Sequence, residues 1–456
     1  MMQQFRHIMI GAAAGVALVL VTTSPPVAPL IAKAVASPST DATSTFHELA
    51  VFGKVFDIVR RGYVDKPDST KLIQLAINGM IGSLDPHSNY MDAKAYQEMQ
   101  VETTGEFGGV GMEVTTENNT IKVVSPIDGT PAAKAGILAG DVITHVDGTP
   151  IKDLPLDTVV DKLRGPPGSK VTLAIQRAKV AKPIIVTLTR EVIKARPISS
   201  RDEGGNVGYI RITEFNELTA AELTSAITTL STKIPDDQMK GYILDLRNNP
   251  GGLLDQAVAV VNAFLSQGEI VSTRGRNAEE DERNFAKPKP GDLIHGKPLI
   301  VLINGGSASA SEIVAGALQD QRRATILGTR SFGKGSVQTI IPLGPRNGAL
   351  RLTTARYFTP SGRSIQAEGI TPDIQVVQQV PTDLQGSQVD VSEASLPGHF
   401  HAQGKEEKGS QSYVPSKPED DAALQTALAL LRGTKVNPAF PPKVEQATAP
   451  QAAGKP

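Results

Sequence analysis

Three serines at alternate positions, Ser307, Ser309 and Ser311, run directly into Glu312 among small neighbours, and a lysine, Lys334, follows within Gly333-Lys334-Gly335-Ser336-Val337-Gln338. A serine hydroxyl is a poor nucleophile until a base takes its proton, and a neutral lysine amine within reach is such a base. Neutrality requires the amine to fall from a pKa of about 10.4, by burial and by the absence of nearby carboxylates. Gln338 suits that task, because an amide orients an amine by hydrogen bonding without adding a charge that holds the proton. If residues 337–341 form a strand whose start includes Lys334, then Lys334, Ser336 and Gln338 share one face by the period of two. A third segment, Arg247-Asn248-Asn249-Pro250-Gly251-Gly252, lies where a strand gives way to a helix. The backbone N–H groups of its Gly-Gly turn, and of the residue after the serine, can receive an oxyanion. Spacing alone does not choose among Ser307, Ser309 and Ser311.

Rival chemistries fit less well. Gly328 followed by Gly333-Lys334 approaches a phosphate-binding loop, but Gly335 stands where that loop needs Ser or Thr, and a strand follows where it needs a helix. No Gly-x-Gly-x-x-Gly opens a helix near the first strand, no His-Glu-x-x-His exists, and no Gly-x-Ser-x-Gly elbow is present. The chain has no cysteine, which removes thiolate nucleophiles and cysteine-held metals, and it has only seven histidines. His295 is the histidine base nearest in sequence to the serines. With 46 basic against 47 acidic side chains there is no electrostatic footprint for nucleic acid. Neither a cofactor nor a metal is expected.

These segments need a scaffold, and 456 residues allow roughly three domains of about 150 each. Residues 207–377 alternate apolar strands with helices, with strands at 242–246 and 299–303 and helices at 253–265 and 312–318. That order implies a partly parallel sheet covered by helices, with chemistry at the carboxyl ends of its strands. Residues 107–191 change to short β-branched runs punctuated by glycine, with a helix near Leu156 to Leu163. Upstream, Leu49, Phe52, Phe56 and Val59, and then Ile73, Ile77, Met80 and Leu84, recur at helical spacing. These two helices are too few for a core and call for a neighbour or a second copy. Asp85-Pro86-His87-Ser88 reads as a proline turn with local hydrogen bonds. Beyond about residue 378 the chain is rich in Ser, Gln, Pro, Glu and Lys and reads as a poorly packed extension, interrupted by one helix at 422–431 whose apolar face needs a partner.

Phe107-Gly108-Gly109-Val110-Gly111-Met112, with Pro131-Ala132-Ala133-Lys134-Ala135-Gly136-Ile137 and Gly140-Asp141-Val142-Ile143, resembles a PDZ domain. The resemblance implies that the 107–111 loop holds a peptide's terminal carboxylate while the peptide adds as a strand. The full order of helical segment, PDZ domain, Asn-Asn-Pro-Gly-Gly, Gly-Ser-Ala-Ser-Ala-Ser-Glu and Gly-Lys-Gly-Ser-Val-Gln is similar to the carboxyl-terminal processing proteases of peptidase family S41. The family's pattern implies Ser309 as nucleophile, Lys334 as base and Gln338 as the residue that orients it. It also implies backbone N–H groups of Gly251 or Gly252 and of Ala310 as oxyanion donors. Glu312 matches a glutamate of supporting role, and Arg164 a position that couples the PDZ domain to the site. The expected activity is a serine endopeptidase acting on proteins or peptides with free C-termini; the alternative is a catalytically silent PDZ adaptor.

The expected organisation is α/β and β multidomain, with an export segment (1–36), a helical segment (37–100), a PDZ domain (101–191), a protease core (192–378) and a C-terminal extension (379–456). Arg6 and His7 precede about 14 apolar residues, short of the roughly 20 that span a bilayer, and Ala34-Val35-Ala36 is a small-x-small cleavage site. This predicts export to the periplasm, with an uncleaved anchor in the inner membrane as the alternative. The unpartnered helical faces predict a homo-oligomer, with a dimer favoured.

Overall fold

The computed structural model of this chain describes residues 40–442 apart from 118, 382–391 and 403, so the expected export segment lies outside the described residues. The chain divides into two compact units, one ending at Ala76 and one beginning at Ile77. The first holds α1 (Thr40–Gly62) and the start of α2 (Ser69–Gly82). Asp68 initiates α2 by accepting the N–H groups of Thr70 and Lys71 at 2.8 and 3.2 Å, satisfying donors that the first turn leaves unpaired. Phe46, Leu49, Phe52 and Ile58 of α1 are exposed. Among the described residues no helix is long and apolar enough to cross a membrane.

In the second unit, Asp85 closes the proline turn by accepting the N–H groups of His87 and Ser88, both at 2.8 Å. Strand β1 (Asn89–Met91) follows, and then α3 (Ala93–Thr104), which sequence periodicity does not reveal because it buries no residue. Asp92 caps α3 and Gly105, at φ 66°, ends it in the left-handed region that glycine tolerates. The β-rich segment that resembles a PDZ domain uses β2 (Glu106–Gly109), β3 (Met112–Glu117), β4 (Thr120–Pro126), α4 (Pro131–Lys134), β5 (Val142–Val146), β6 (Thr149–Pro150), α5 (Leu156–Leu163), β7 (Lys170–Gln176), β8 (Ile184–Thr189) and β9 (Glu191–Lys194). Its antiparallel sheet runs β3-β4-β5-β7-β8, while β2 pairs with β9 and fastens the domain at its base. Alternation in the strands buries Ile121, Val123, Ile143, Leu173 and Ile175 against Val159 and Leu163 of α5.

The remaining elements are β10 (Ile198–Asp202), β11 (Val207–Ile212), α6 (Thr219–Lys233), β12 (Gly241–Asp245), α7 (Leu254–Asn262), β13 (Glu269–Gly275), β14 (Glu282–Phe285), β15 (Leu299–Ile303), α8 (Ala310–Asp320), β16 (Thr325–Gly328), β17 (Ser336–Pro342), β18 (Ala349–Phe358), β19 (Ile374–Gln375) and α9 (Ala422–Leu431). The central sheet has the order β10-β11-β12-β15-β16-β19, parallel except for β10. Leu299, Val301 and Ile303 of β15 join one apolar core with α6, α7 and α8, whereas Ile300 and Leu302 join another with α9. The strand is apolar throughout because both faces are covered. A second, antiparallel sheet groups β1, β18, β13 and β14, with β17 also on β18.

The extension departs from its composition. Ala423, Leu424, Ala427, Leu428, Leu430 and Leu431 of α9 are buried against the central sheet, so that helix's apolar face is satisfied within the chain rather than by a second copy. Asp421 caps α9 and also meets Arg247, which pairs with the fully buried Asp245 at the end of β12. Upstream, residues 392–402 and 404–412 form a strap over the core. Gln411 O accepts the Gly305 N–H at 3.0 Å and the Thr329 hydroxyl at 2.8 Å, and Ser412 O accepts Asn304 Nδ2 at 2.8 Å. The strap is polar, and its main-chain carbonyls at Gln411 and Ser412 carry part of its docking.

Candidate active site

β15 delivers Asn304-Gly305-Gly306-Ser307-Ala308-Ser309 at its carboxyl end, and α8 begins at the next residue. The three serines differ in environment. Ser307 is fully buried and its hydroxyl donates to Leu246 O at 2.8 Å; Ser311 is fully buried and donates to Asn249 O at 3.0 Å. Both thereby tie the serine segment to the turn after β12. The Ser309 hydroxyl donates to no main-chain carbonyl among the described residues. Ser309 also sits at φ 53° and ψ −113°, a backbone that a non-glycine residue adopts only where its surroundings hold it.

What holds it is Glu312. This carboxylate is fully buried and accepts four hydrogen bonds: Ser309 N–H at 2.8 Å and Lys334 N–H at 2.9 Å on Oε2, and the Ser331 hydroxyl at 2.5 Å and Gly333 N–H at 2.7 Å on Oε1. One oxygen thus bridges the main chains of Ser309 and Lys334, keeping their nitrogens within about 6 Å of each other. Burial pushes the Glu312 carboxyl up to about 7, against the four donors that favour its charge.

Lys334 lies in the loop between β16 and β17 with a glycine on each side for a steric reason. A Cβ on Gly335 would stand 2.4 Å from Gln366 N, and Gly333, at φ 96°, packs on Ala367. Lys334 Nζ donates to Gln338 Oε1 at 2.5 Å, and Gln338 Nε2 donates to the Ser336 hydroxyl at 2.9 Å and the Thr353 hydroxyl at 3.2 Å. Gln338 and Ser336 meet despite a bulge between Val337 and Gln338 in the pairing with β18. Burial draws the lysine below the ordinary ammonium range; the Glu393 carboxylate opposes this most strongly, Arg351 reinforces it, and Glu312 and Asp85 oppose it further. No hydrogen bond joins Nζ to Ser309 among the described residues, and none joins the His295 ring to Ser309.

Sequence reasoning reads Asp85-Pro86-His87-Ser88 as a turn and misses its second attachment. Thr353, which receives Gln338, donates to Asp85 Oδ1 at 3.1 Å, and its N–H donates to Ser88 Oγ at 3.0 Å. His87 Nε2 lies 2.8 Å from Oε2 of the fully buried Glu393 on the strap. Gln366 Nε2 donates to Glu393 Oε1 at 2.9 Å, and Gln366 Oε1 accepts the Gly335 N–H at 3.1 Å. The turn and the strap therefore brace the lysine loop from opposite ends of the sequence. Nothing in the composition around Glu393 points to this, because the braces are long-range.

At the Gly-Gly turn, Gly251 N–H donates to Asn249 Oδ1 at 2.9 Å and is occupied. Gly252 N–H and Ala310 N–H have no acceptor among the described residues. Gly251, at φ 105°, is needed for close approach: a Cβ there would stand 2.7 Å from Ser309 Cβ and 2.9 Å from Ala310 N. In the PDZ domain a cleft of about 400 Å³ opens between β3 and α5, lined by Phe107, Gly109, Val110 and Gly111 and by Val160, Leu163 and Arg164. Gly108 stays outside it, since its carbonyl accepts Gly165 N–H at 3.1 Å and a Cβ would strike Gly165 O. The Arg164 guanidinium lies 4.8 Å from the Phe107 ring centre.

Known families account for the same segments. Residues 206–376 match peptidase family S41, residues 122–177 match the PDZ domain, and residues 8–95 match the N-terminal domain of the activating protease CtpB. The chain is 56% identical over 417 residues to a carboxy-terminal-processing protease of Bartonella bacilliformis, covering 91% of this chain and 95% of that one. The chain belongs to peptidase family S41. It is also 38% identical over 323 residues to the carboxy-terminal processing protease CtpA of Bacillus subtilis, covering 70% of this chain and 67% of that one. Among solved structures, the photosystem II D1 C-terminal processing protease is 32% identical, with coverage of 74% and 95% and a TM-score of 0.42. This S41 chain is therefore a peptidase with a PDZ domain.

Proposed function

We propose that the chain is a serine endopeptidase that captures the free C-terminus of exported proteins in its PDZ cleft and cleaves upstream by acyl-enzyme chemistry. Apolar Val110, Val160 and Leu163 suit a hydrophobic terminal side chain, and the β3 edge suits an added strand. Ser309 attacks the scissile carbonyl, Lys334 takes the hydroxyl proton and returns it to the leaving amine, and water repeats the cycle. Gln338 orients the neutral amine, which must swing from its present partner to Ser309 for the transfer. Gly252 and Ala310 N–H groups receive the oxyanion. The carrying observation is the single Glu312 oxygen that bridges Ser309 and Lys334, while Ser307 and Ser311 are committed to carbonyls.

A PDZ adaptor without chemistry leaves unexplained why a lysine is buried against an amide, since desolvating an ammonium is costly unless its neutral form is wanted. The compartment proposed is the periplasm, by cleaved export or by an inner-membrane anchor. The exposed apolar face of α1 supports self-association, a dimer first. Ser309→Ala and Lys334→Ala each abolish cleavage of an unfolded substrate with a free C-terminus and leave thermal melting nearly unchanged. Full activity in either variant removes the dyad.

A further inference from the structure

The strap carries a second constellation that the peptidase reading does not use. His399 Nε2 and His401 Nδ1 both face Glu406 Oε1, at 3.2 and 2.8 Å. All three ligand atoms lie within 4.8 Å of one another, and the two imidazole rings meet edge-on with centres 5.1 Å apart. In a tetrahedral zinc site, with Zn–N and Zn–O bonds of about 2.0–2.2 Å, ligand atoms stand about 3.3 Å apart, so small rotations of these side chains admit a metal.

The tautomer of His399 sharpens the point. Its Nδ1 lies 2.8 Å from Leu396 O. A carbonyl oxygen only accepts, so Nδ1 carries the hydrogen and Nε2 of the neutral ring presents a lone pair to the Glu406 carboxylate. Two acceptors at that distance repel unless a cation, a proton or a metal, sits between them. An outer hydrogen bond from the ring to a backbone carbonyl is also the arrangement that fixes a metal-binding histidine. The frame is anchored at both ends: Phe400 O accepts Gln366 Nε2 at 3.0 Å, and Glu407 N–H donates to Ala367 O at 3.1 Å. His399 is largely covered whereas the His401 side chain is 83% exposed, which leaves an open path from solvent.

We propose that His399, His401 and Glu406 bind one divalent transition metal of the imidazole-preferring class, zinc foremost, with solvent at the fourth position. Two imidazoles and a carboxylate without a thiolate match zinc, cobalt, nickel or copper and not calcium or magnesium. The ion closes the loop that presents Phe400 O to Gln366, and Gln366 in turn holds Gly335 N–H beside Lys334. The metal is thus a staple for the strap, remote from any bond being cleaved. The proposal stands apart from the Ser309 and Lys334 reading and survives its failure.

The test uses the untagged, chelator-treated full chain at neutral pH, titrated with zinc chloride by calorimetry and with cobalt chloride by visible absorption. The expected result is one equivalent bound, a tetrahedral cobalt spectrum, and slowed amide exchange across residues 399–408. His399→Ala and the exposed His401→Ala each abolish uptake, and Glu406→Gln weakens it at least about tenfold. The His401 variant removes a solvent-facing ring and keeps the test independent of folding. Failure of the wild type to bind one equivalent, or uptake unchanged in either histidine variant, overturns the site and leaves a proton in its place.

Discussion

Replacing Gln338 by Glu tests the reason for an amide beside the lysine. Gln338 Oε1 is 2.5 Å from Lys334 Nζ, so the new carboxylate inherits direct contact with the amine. Opposite charges about 4 Å apart at an effective dielectric near 20 attract by about 4 kcal/mol. Desolvating the carboxylate cancels part of this; if half survives, about 2 kcal/mol holds the proton on the lysine, a factor of about 30 in the population of free base at neutral pH. The Ser336 hydroxyl, which now accepts from Gln338 Nε2, can turn and donate to the carboxylate, while the Thr353 hydroxyl keeps its hydrogen on Asp85, so the fold is retained. The assay is kcat/KM against pH with an unfolded substrate bearing a free C-terminus. Gln338→Glu loses about 30-fold at neutral pH and recovers as the solution is made alkaline, because the acid limb moves upward. Gln338→Ala loses activity without that alkaline recovery. An acid limb that stays in place or moves downward in Gln338→Glu refutes the neutral-lysine argument.

Gly251→Ala adds a Cβ 2.7 Å from Ser309 Cβ at a backbone φ of 105°, and the resulting displacement of the serine lowers kcat/KM by about 100-fold in steady-state assays. Arg247→Met leaves the buried Asp421 carboxylate without its cation and Asp245 with only the Arg211 guanidinium 3.5 Å away, and urea unfolding shows a loss of about 3–5 kcal/mol; a loss below about 1 kcal/mol contradicts the brace between β12 and α9. Glu312, raised from 4.5 to about 7, binds its proton more tightly when folded. Its contribution is therefore complete below pH 4.5 and is lost as the pH rises through 7, by up to about 3 kcal/mol. Paired urea titrations show the stability gap between wild type and Glu312→Gln shifting against the wild type across that window, and a constant gap refutes it.

Much of the fold is legible in the chain because its periodicities are local. The α5 helix and the β12, β15 and β17 strands fall within a residue or two of where apolar spacing puts them, since each buries a face that its own sequence declares. Helix α3 is not legible, because it is set by caps at Asp92 and Gly105 and not by an apolar stripe. Around the lysine, strand alternation is only part of the answer: the strand starts at Ser336 and leaves Lys334 in the preceding loop, Ser336 and Gln338 meet across a bulge that a strict period of two does not contain, and the glycines flanking Lys334 follow from crowding by 366–367. The bracing by Asp85, Thr353 and Glu393 is invisible to local reading, as its members lie hundreds of positions apart. The same holds for the extension: polar composition predicts poor packing, yet a strap can dock through main-chain carbonyls at Gln411 and Ser412.

The central claim is that the Ser309 hydroxyl becomes a nucleophile through the Lys334 amine. Labelling with a fluorophosphonate probe, followed by peptide mapping across a pH series, reads this without any knowledge of the natural substrate. The account predicts one adduct, on Ser309, whose rate of formation rises with pH and which is lost in Lys334→Ala. An adduct on Ser307 or Ser311, or undiminished labelling of Ser309 in Lys334→Ala, contradicts it.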